Sequence, residues 1–331
     1  MTATRLRIGA VLGALALGLT ACGSDGEAGT TEAANTETTT VEVEDNNGTQ
    51  TVTVPPRSVV ATDNRTFETL SDWGVELQAA AVSLMPDTIS YSGDDSIIDL
   101  GSHREPDLEA VVAADPDLII NGQRFTQYQD DFTRLVPDAT VLALDPRDDQ
   151  PFDSELKRQT TVLGEIFGKE TEAEQLNADF DAAIERVRAA YQPGDTVMAV
   201  ITSGGDIGYV TPGTGRTLGP LFDIFDLQPS LEVEDGSDNH QGDDISVEAI
   251  ADSNPDIILV MDRDAGTSTG ADDPAYRPAT EIITDSEALQ GVTAVRDGNV
   301  VYMPADTYTN ESIQTYTEFF NTLADQLEAK N

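Results

Sequence analysis

Cysteine occurs once among 331 residues, at Cys22, so no intrachain disulfide can form and a disulfide-stapled fold is excluded. Histidine occurs twice, at His103 and His240, too few for a soft transition-metal centre without cysteine partners. Carboxylates abound, but no Asp-x-Asp-x-Asp-Gly loop with a distal glutamate offers calcium its usual cradle. A hydrolase needs a nucleophile beside a base, and neither histidine stands in a triad context. Long apolar runs are missing too. The longest near the start, Ile8 to Leu19, is about half the roughly 20 residues that a spanning helix requires. Positive charge is scarce: 18 basic residues face 61 acidic ones, a formal charge of −43, and only three of the basic residues are lysine. Such a field repels nucleic acid and suits an acidic, solvated surface outside the cell. Scarcity also makes each well-placed arginine informative.

What is present begins with an address. Arg5 and Arg7 precede the apolar run, which ends in Leu19-Thr20-Ala21-Cys22-Gly23. This is the layout of a cleaved signal segment, residues 1–21. Its last five residues resemble the bacterial lipobox, in which the cysteine is acylated and becomes the first mature residue. Residues 22–45 start with a polar stretch free of large apolar side chains, which cannot offset its ordering entropy and is expected to be a flexible tether. The rest is long enough for one large or two medium domains.

An internal repeat organises that remainder. Asp107 to Arg124 and Ser246 to Arg263 align at one offset: Glu109 with Glu248, Pro116 with Pro255, Arg124 with Arg263. Each copy is a short amphipathic helix, a break before proline, an apolar run and a terminal arginine. The residue before proline avoids helical angles. The apolar run reads as a strand buried on both faces of a parallel sheet. Further strands are expected at 58–62, 77–82, 140–144, 196–202 and 300–303, with a small leading hairpin around Asn46-Asn47-Gly48. Between the copies, Ala173, Leu176, Phe180, Ile184 and Val187 form one helical face, and Pro193-Gly194 ends that helix. A final amphipathic helix spans 312–330. The expected architecture is α/β: two similar Rossmann-like lobes with mostly parallel sheets, 46–168 and 193–331, joined by a long helix at 169–192.

Signal, lipobox, tether and paired Pro-Asp units together resemble the substrate-binding lipoproteins of ABC importers of the ferric siderophore and cobalamin class. The closer match is the ferric catecholate subgroup. It is carried by residues 101–109, 116–120, 163–170 and 254–263, and it spans about residues 50 to 330. The resemblance implies no catalysis and no intrinsic cofactor, with a ferric siderophore as cargo, a permease and ATPase as partners, and a monomer anchored outside the membrane through Cys22. It implies that Arg124, Arg216 and Arg263 bind the cargo, and that Glu109 and Glu248 dock into the permease. It also implies lobes that move little about the connecting helix.

The residues themselves give part of this site. Open α/β sheets bind ligands beyond the carboxyl ends of their strands, where the repeat puts Arg124 and Arg263. Arg216 follows Thr211-Pro212-Gly213-Thr214-Gly215, ahead of a helix expected from Leu218 to Phe225, where backbone N–H groups also face an anion. Arginine stays charged and presents a planar donor fork. His240 is either an exposed loop residue or a cleft residue reaching the cargo, with Tyr308 as its matching tyrosine. Phe125, with Tyr128 beside it, either lines the cleft or packs inside. Alternatives that keep the fold are haem, cobalamin or a hydroxamate siderophore as cargo; a metal-ion binder is the remoter one.

Overall fold

The structure, a computed structural model, describes residues 38–101, 105–267, 270 and 273–330. The signal segment, Cys22 and His103 lie outside the described residues. The chain opens on an antiparallel hairpin, β1 (Thr39–Asp45) and β2 (Gly48–Val54), turning at Asn46-Asn47. Its first strand therefore begins within the stretch expected as tether. The reason is tertiary: Val43 and Val52 are buried in the first lobe's core, and Asp45 accepts the Ala143 N–H at 3.0 Å.

The first lobe carries a parallel sheet built from β3 (Val59–Ala61), β4 (Ala79–Ala80), β5 (Ile98–Asp99), β6 (Leu118–Asn121) and β7 (Thr140–Ala143), in the order β5-β4-β3-β6-β7. Helices α1 (Phe67–Asp72), α2 (Leu108–Ala113) and α3 (Gln129–Leu135) connect its strands. After this sheet come two helices, α4 (Phe152–Phe167) and α5 (Glu170–Ala190), the second within the range 169–192 read as the connecting helix. They part at Gly168, whose left-handed φ of 63° ends α4. The 21-residue α5 buries Phe180, Ile184 and Val187 on the face read from the sequence.

The second lobe repeats the plan. Parallel strands β8 (Thr196–Ser203), β10 (Gln228–Pro229), β11 (Ile257–Asp262) and β12 (Val300–Tyr302) run in the order β10-β8-β11-β12, with β9 (Asp206–Tyr209) antiparallel to β8. Helices α6 (Leu221–Phe225), α7 (Val247–Ser253), α8 (Ala279–Asp285) and α9 (Thr293–Asp297) surround it, and α10 (Ile313–Lys330) closes the chain. Phe319, Phe320, Leu323 and Leu327 of α10 share one apolar cluster with α5 and β8.

The repeat has a structural cause. Asp117, just ahead of β6, accepts the N–H groups of Arg57 and Ser58 at 2.9–3.0 Å, before β3. Asp256, just ahead of β11, accepts the Thr196 N–H at 2.8 Å, at the start of β8. Both aspartates reach back 60 residues. Each Pro-Asp pair thus pins the start of one central strand to the start of its parallel neighbour, using an orphan backbone donor that would otherwise need water.

Candidate ligand-binding cleft

In each sheet the strand order reverses between two central strands, β3 and β6 in one lobe, β8 and β11 in the other. Such a switch point opens a crevice beyond the carboxyl ends of the strands. Arg124 lies in the short 3-10 turn after β6, and Arg263 follows β11 directly. The Arg263 guanidinium donates to Ser203 Oγ at 3.3 Å, at the end of β8. The crevice they share has a volume of about 650 Å³, within the roughly 300–1,000 Å³ of small-molecule sites. Ser83, Leu84 and Met85 also line it from the first lobe, and His240, Gln241 and Tyr308 from the second.

Tyr308 organises the floor. Its ring is 3% exposed, and three guanidinium carbons surround it: Arg263 at 4.8 Å from the centroid, Arg124 at 5.2 Å and Arg216 at 5.3 Å. Each contact with the ring face is worth about 0.5–2 kcal/mol. Three like charges around one ring repel, by roughly 2 kcal/mol per pair at ~8 Å and an effective dielectric of 20. The available carboxylates relieve this only in part. Arg216 meets Glu311 at 3.5 Å and Arg263 meets Asp264 at 3.1 Å, whereas Arg124 has no carboxylate within 4 Å among the described residues. The buried Arg216 Nε and Arg263 Nε have no hydrogen-bond partner. Unpaired buried donors on converging cations are suited to an anionic ligand.

The neighbouring ionisations report the same field. Burial first, then the guanidinium groups of Arg216, Arg124 and Arg263, push His240 down to about 4, so its imidazole is neutral. Its Nδ1 lies 3.3 Å from the Tyr308 hydroxyl. Burial opposes ionisation of that phenol, yet Arg124, Arg263 and Arg216 outweigh it and hold the pKa below its ordinary value.

Arg124 and Arg263 thus face one cleft, as the sequence implies, with His240 and Tyr308 beside them. Arg216 belongs to the same cluster but lies beneath the lining, 13% exposed and paired with Glu311. Phe125 is a correction. It is fully buried in the first lobe's core, its ring 6.3 Å from that of Tyr128, because the short turn after β6 points Arg124 outward and Phe125 inward. Glu109 and Glu248 are exposed in the first turns of α2 and α7, capped by Asp107 and Ser246. Residues that the sequence did not single out are Arg65, Asp63, Asp145 and Glu311. These meet at the seam between the lobes and share no local motif. The chain also contains Gly266-Thr267-Ser268-Thr269-Gly270, the Gly-x-Ser-x-Gly pattern of serine hydrolases. Gly266 and Thr267 come after the end of β11 at Asp262, Ser268 and Thr269 lie outside the described residues, and His240 Nδ1 faces the Tyr308 hydroxyl at 3.3 Å.

Beside this cleft, a second hollow of about 710 Å³ is lined by Asp206, Asp243, Asp244 and Asp285, an unfavourable wall for an anion. Two switch-point sheets facing one cationic crevice across a helical bridge define a two-lobed solute receptor. The chain belongs to the periplasmic binding protein family, whose model matches residues 59–307. It is a binding protein of an extracytoplasmic class, not an enzyme. It is 27% identical over 316 residues to the petrobactin-binding protein YclQ of Bacillus subtilis, covering 94% of this chain and 95% of that one. It is 25% identical over 273 residues to the ferric-anguibactin-binding protein FatB of Vibrio anguillarum, 82% of this chain and 81% of that one. The fold matches the catecholate-siderophore binding protein VctP of Vibrio cholerae with a TM-score of 0.73, at 22% identity over 88% of this chain and 100% of that one.

Proposed function

We propose that this protein captures a ferric siderophore of the catecholate type in the arginine-lined cleft and delivers it to the permease of an ABC importer, held at the membrane by a lipid on Cys22. One observation carries the reading: Arg124, Arg216 and Arg263, from three separate segments and both lobes, converge on one aromatic ring. A ferric catecholate is anionic and presents oxygens and flat aromatic faces, which a guanidinium recognises through its donor fork and its own plane. The arrangement around Tyr308 is already that of three guanidinium groups against a phenol, the nearest relative of a catechol in the chain. The names of the relatives, petrobactin-binding for YclQ and ferric-anguibactin-binding for FatB, support the same class of cargo.

His240 and Tyr308 would face the chelate from the second lobe, and Arg216 would support it from below. Glu109 and Glu248, one on each lobe and both exposed, would meet the permease. One charge pair at about 4 Å is worth roughly 4 kcal/mol at a dielectric of 20 before desolvation. A few such contacts supply much of the ~12 kcal/mol of a nanomolar complex. The test is a titration of Trp73 fluorescence with ferric catecholates, ferric hydroxamates and haem. Sub-micromolar binding of a ferric catecholate is expected, weakened at least tenfold by Arg124→Ala or Arg263→Ala. Unchanged binding in both variants rejects the site, and tighter binding of haem or a hydroxamate rejects the cargo.

A further inference from the structure

Glu311, just ahead of α10, is 1% exposed, and its two oxygens face four donors. Oε1 accepts the Thr217 hydroxyl at 2.6 Å and lies 3.5 Å from Arg216 Nη2. Oε2 accepts the Gln123 side-chain amide at 2.6 Å and lies 3.3 Å from Arg65 Nη2. Gln123 and Arg65 come from the first lobe, Thr217 and Arg216 from the second. A single carboxylate therefore bonds both halves of the molecule beneath the cleft.

Two of these donors adjoin the cleft arginines in sequence. Gln123 precedes Arg124, and Thr217 follows Arg216. Both adopt left-handed backbone, with φ of 52° and 62°. That conformation is uncommon for any residue with a β-carbon and a genuine outlier for β-branched threonine. It persists only where the surroundings impose it, and such residues cluster at ligand clamps. The same carboxylate holds the side chains of both, while the Gln123 N–H also donates to Asp145 and the Thr217 carbonyl accepts the Tyr316 hydroxyl at 3.1 Å. The backbone angles at 123 and 217 in turn set the direction from which the neighbouring arginines leave the chain.

We propose that Glu311 is a positioning residue for the cargo: by holding Gln123 and Thr217 in left-handed turns, it fixes Arg124 of one lobe and Arg216 of the other at set places around Tyr308. This inference rests on the cargo reading of the cleft. Its consequence runs against simple electrostatics. Glu311→Gln makes the cleft floor more positive by one charge, so a carboxylate that merely neutralised Arg216 would, once removed, let an anion bind more tightly. A positioning carboxylate gives the opposite sign.

The experiment has a cargo arm and a cargo-free arm. A hexadentate ferric tris-catecholate is titrated into wild type and Glu311→Gln; the variant is expected to bind at least tenfold more weakly. Without cargo, phenol ionisation is followed at 295 nm, with Tyr308→Phe identifying the Tyr308 transition. In Glu311→Gln that transition should move up toward the ordinary tyrosine value, because Arg124 and Arg216 no longer hold their places. Should Glu311→Gln fail to fold, Gln123→Gly and Thr217→Gly remove one donor each while accepting the left-handed backbone. Each should weaken catecholate binding severalfold while circular dichroism shows the variant fully folded at the assay temperature. Unchanged or tighter binding, with an unmoved Tyr308 transition, overturns the proposal. If wild type binds no catecholate while the transition still moves in the variant, the cargo reading fails and the positioning role stands.

Discussion

His240 shows how a residue's neighbours decide its chemistry. An ordinary histidine changes charge near pH 6.5, but burial and three guanidinium groups push this one down to about 4. A depressed folded pKa means that the neutral ring's contribution is present above the ordinary value and is lost as pH falls from about 6.5 through 4. Between pH 6.5 and 8 the residue is therefore electrically silent. Cargo dissociation constants for wild type and His240→Gln, measured across that range, should run parallel; a histidine step present in wild type and absent in the variant contradicts the assignment. Tyr308 is the counterpart, a phenol whose ionisation is eased by the same arginines. The sequence offers both as candidates, but only the packing shows that they touch and that Phe125, adjacent to Arg124, points away into the core.

Among the elements, the Pro-Asp units carry most weight, since each aspartate pins two parallel strands at their starts. Asp256 accepts both the backbone N–H and the hydroxyl of Thr196. Hydrogen bonds to a charged group are worth about 1.5–3 kcal/mol each, and removing the acceptor leaves a backbone donor unpaired. Asp256→Ala should lower unfolding free energy by about 2 kcal/mol in urea titration, and Asp117→Ala by a similar amount in the first lobe. The helices α2 and α7 make a different test. Their glutamates stand in first turns, exposed and outside the cleft. Ala replacements at Glu109 and Glu248 should leave cargo affinity unchanged and reduce cellular uptake of ferric siderophore severalfold. Loss of affinity in either variant would count against a docking role.

The outline of these units was legible beforehand because it is local: a proline that stops a helix, an apolar run long enough for a parallel sheet and a terminal arginine; the aspartates' bonds to strand starts 60 residues earlier were not. The short strands β5 and β10, two residues each, were not. So brief a segment has no periodicity of its own; its pairing with a longer neighbour creates it.

At the scale of the molecule the lobes are tied along one seam. Glu68 of α1 accepts the Asn310 amide at 2.9 Å and the Ser312 hydroxyl, at the entry to α10. Thr69 donates to Gln314 at 2.9 Å, and Arg65 bridges to Glu311 and Asp145. Such bonds oppose wide hinge opening. At the base of this seam, burial first and Asp145 second raise Asp63 to about 7. A carboxyl with a raised folded pKa binds its proton more tightly when folded. Its stabilising contribution is complete below the ordinary value near 4 and drains away as pH rises through about 7. The melting temperature of wild type, relative to Asp63→Asn, should therefore fall by roughly 4 °C between pH 5 and pH 8. A constant difference would mean that Asp63 is ionised throughout.

Residue order alone determined the two repeated α/β lobes, the long connecting helix and the arginines beyond the strand ends. All of these follow from periodicity, chain breakers and charge within about twenty neighbouring residues. Folding alone decided that Arg124, Arg216 and Arg263 meet on Tyr308, and that Glu311 reaches back to Gln123 across 188 positions. The physical reason is range: the strain at Gln123 and Thr217, and the sharing of one carboxylate by two lobes, exist only once distant segments are packed together and water is excluded from between them.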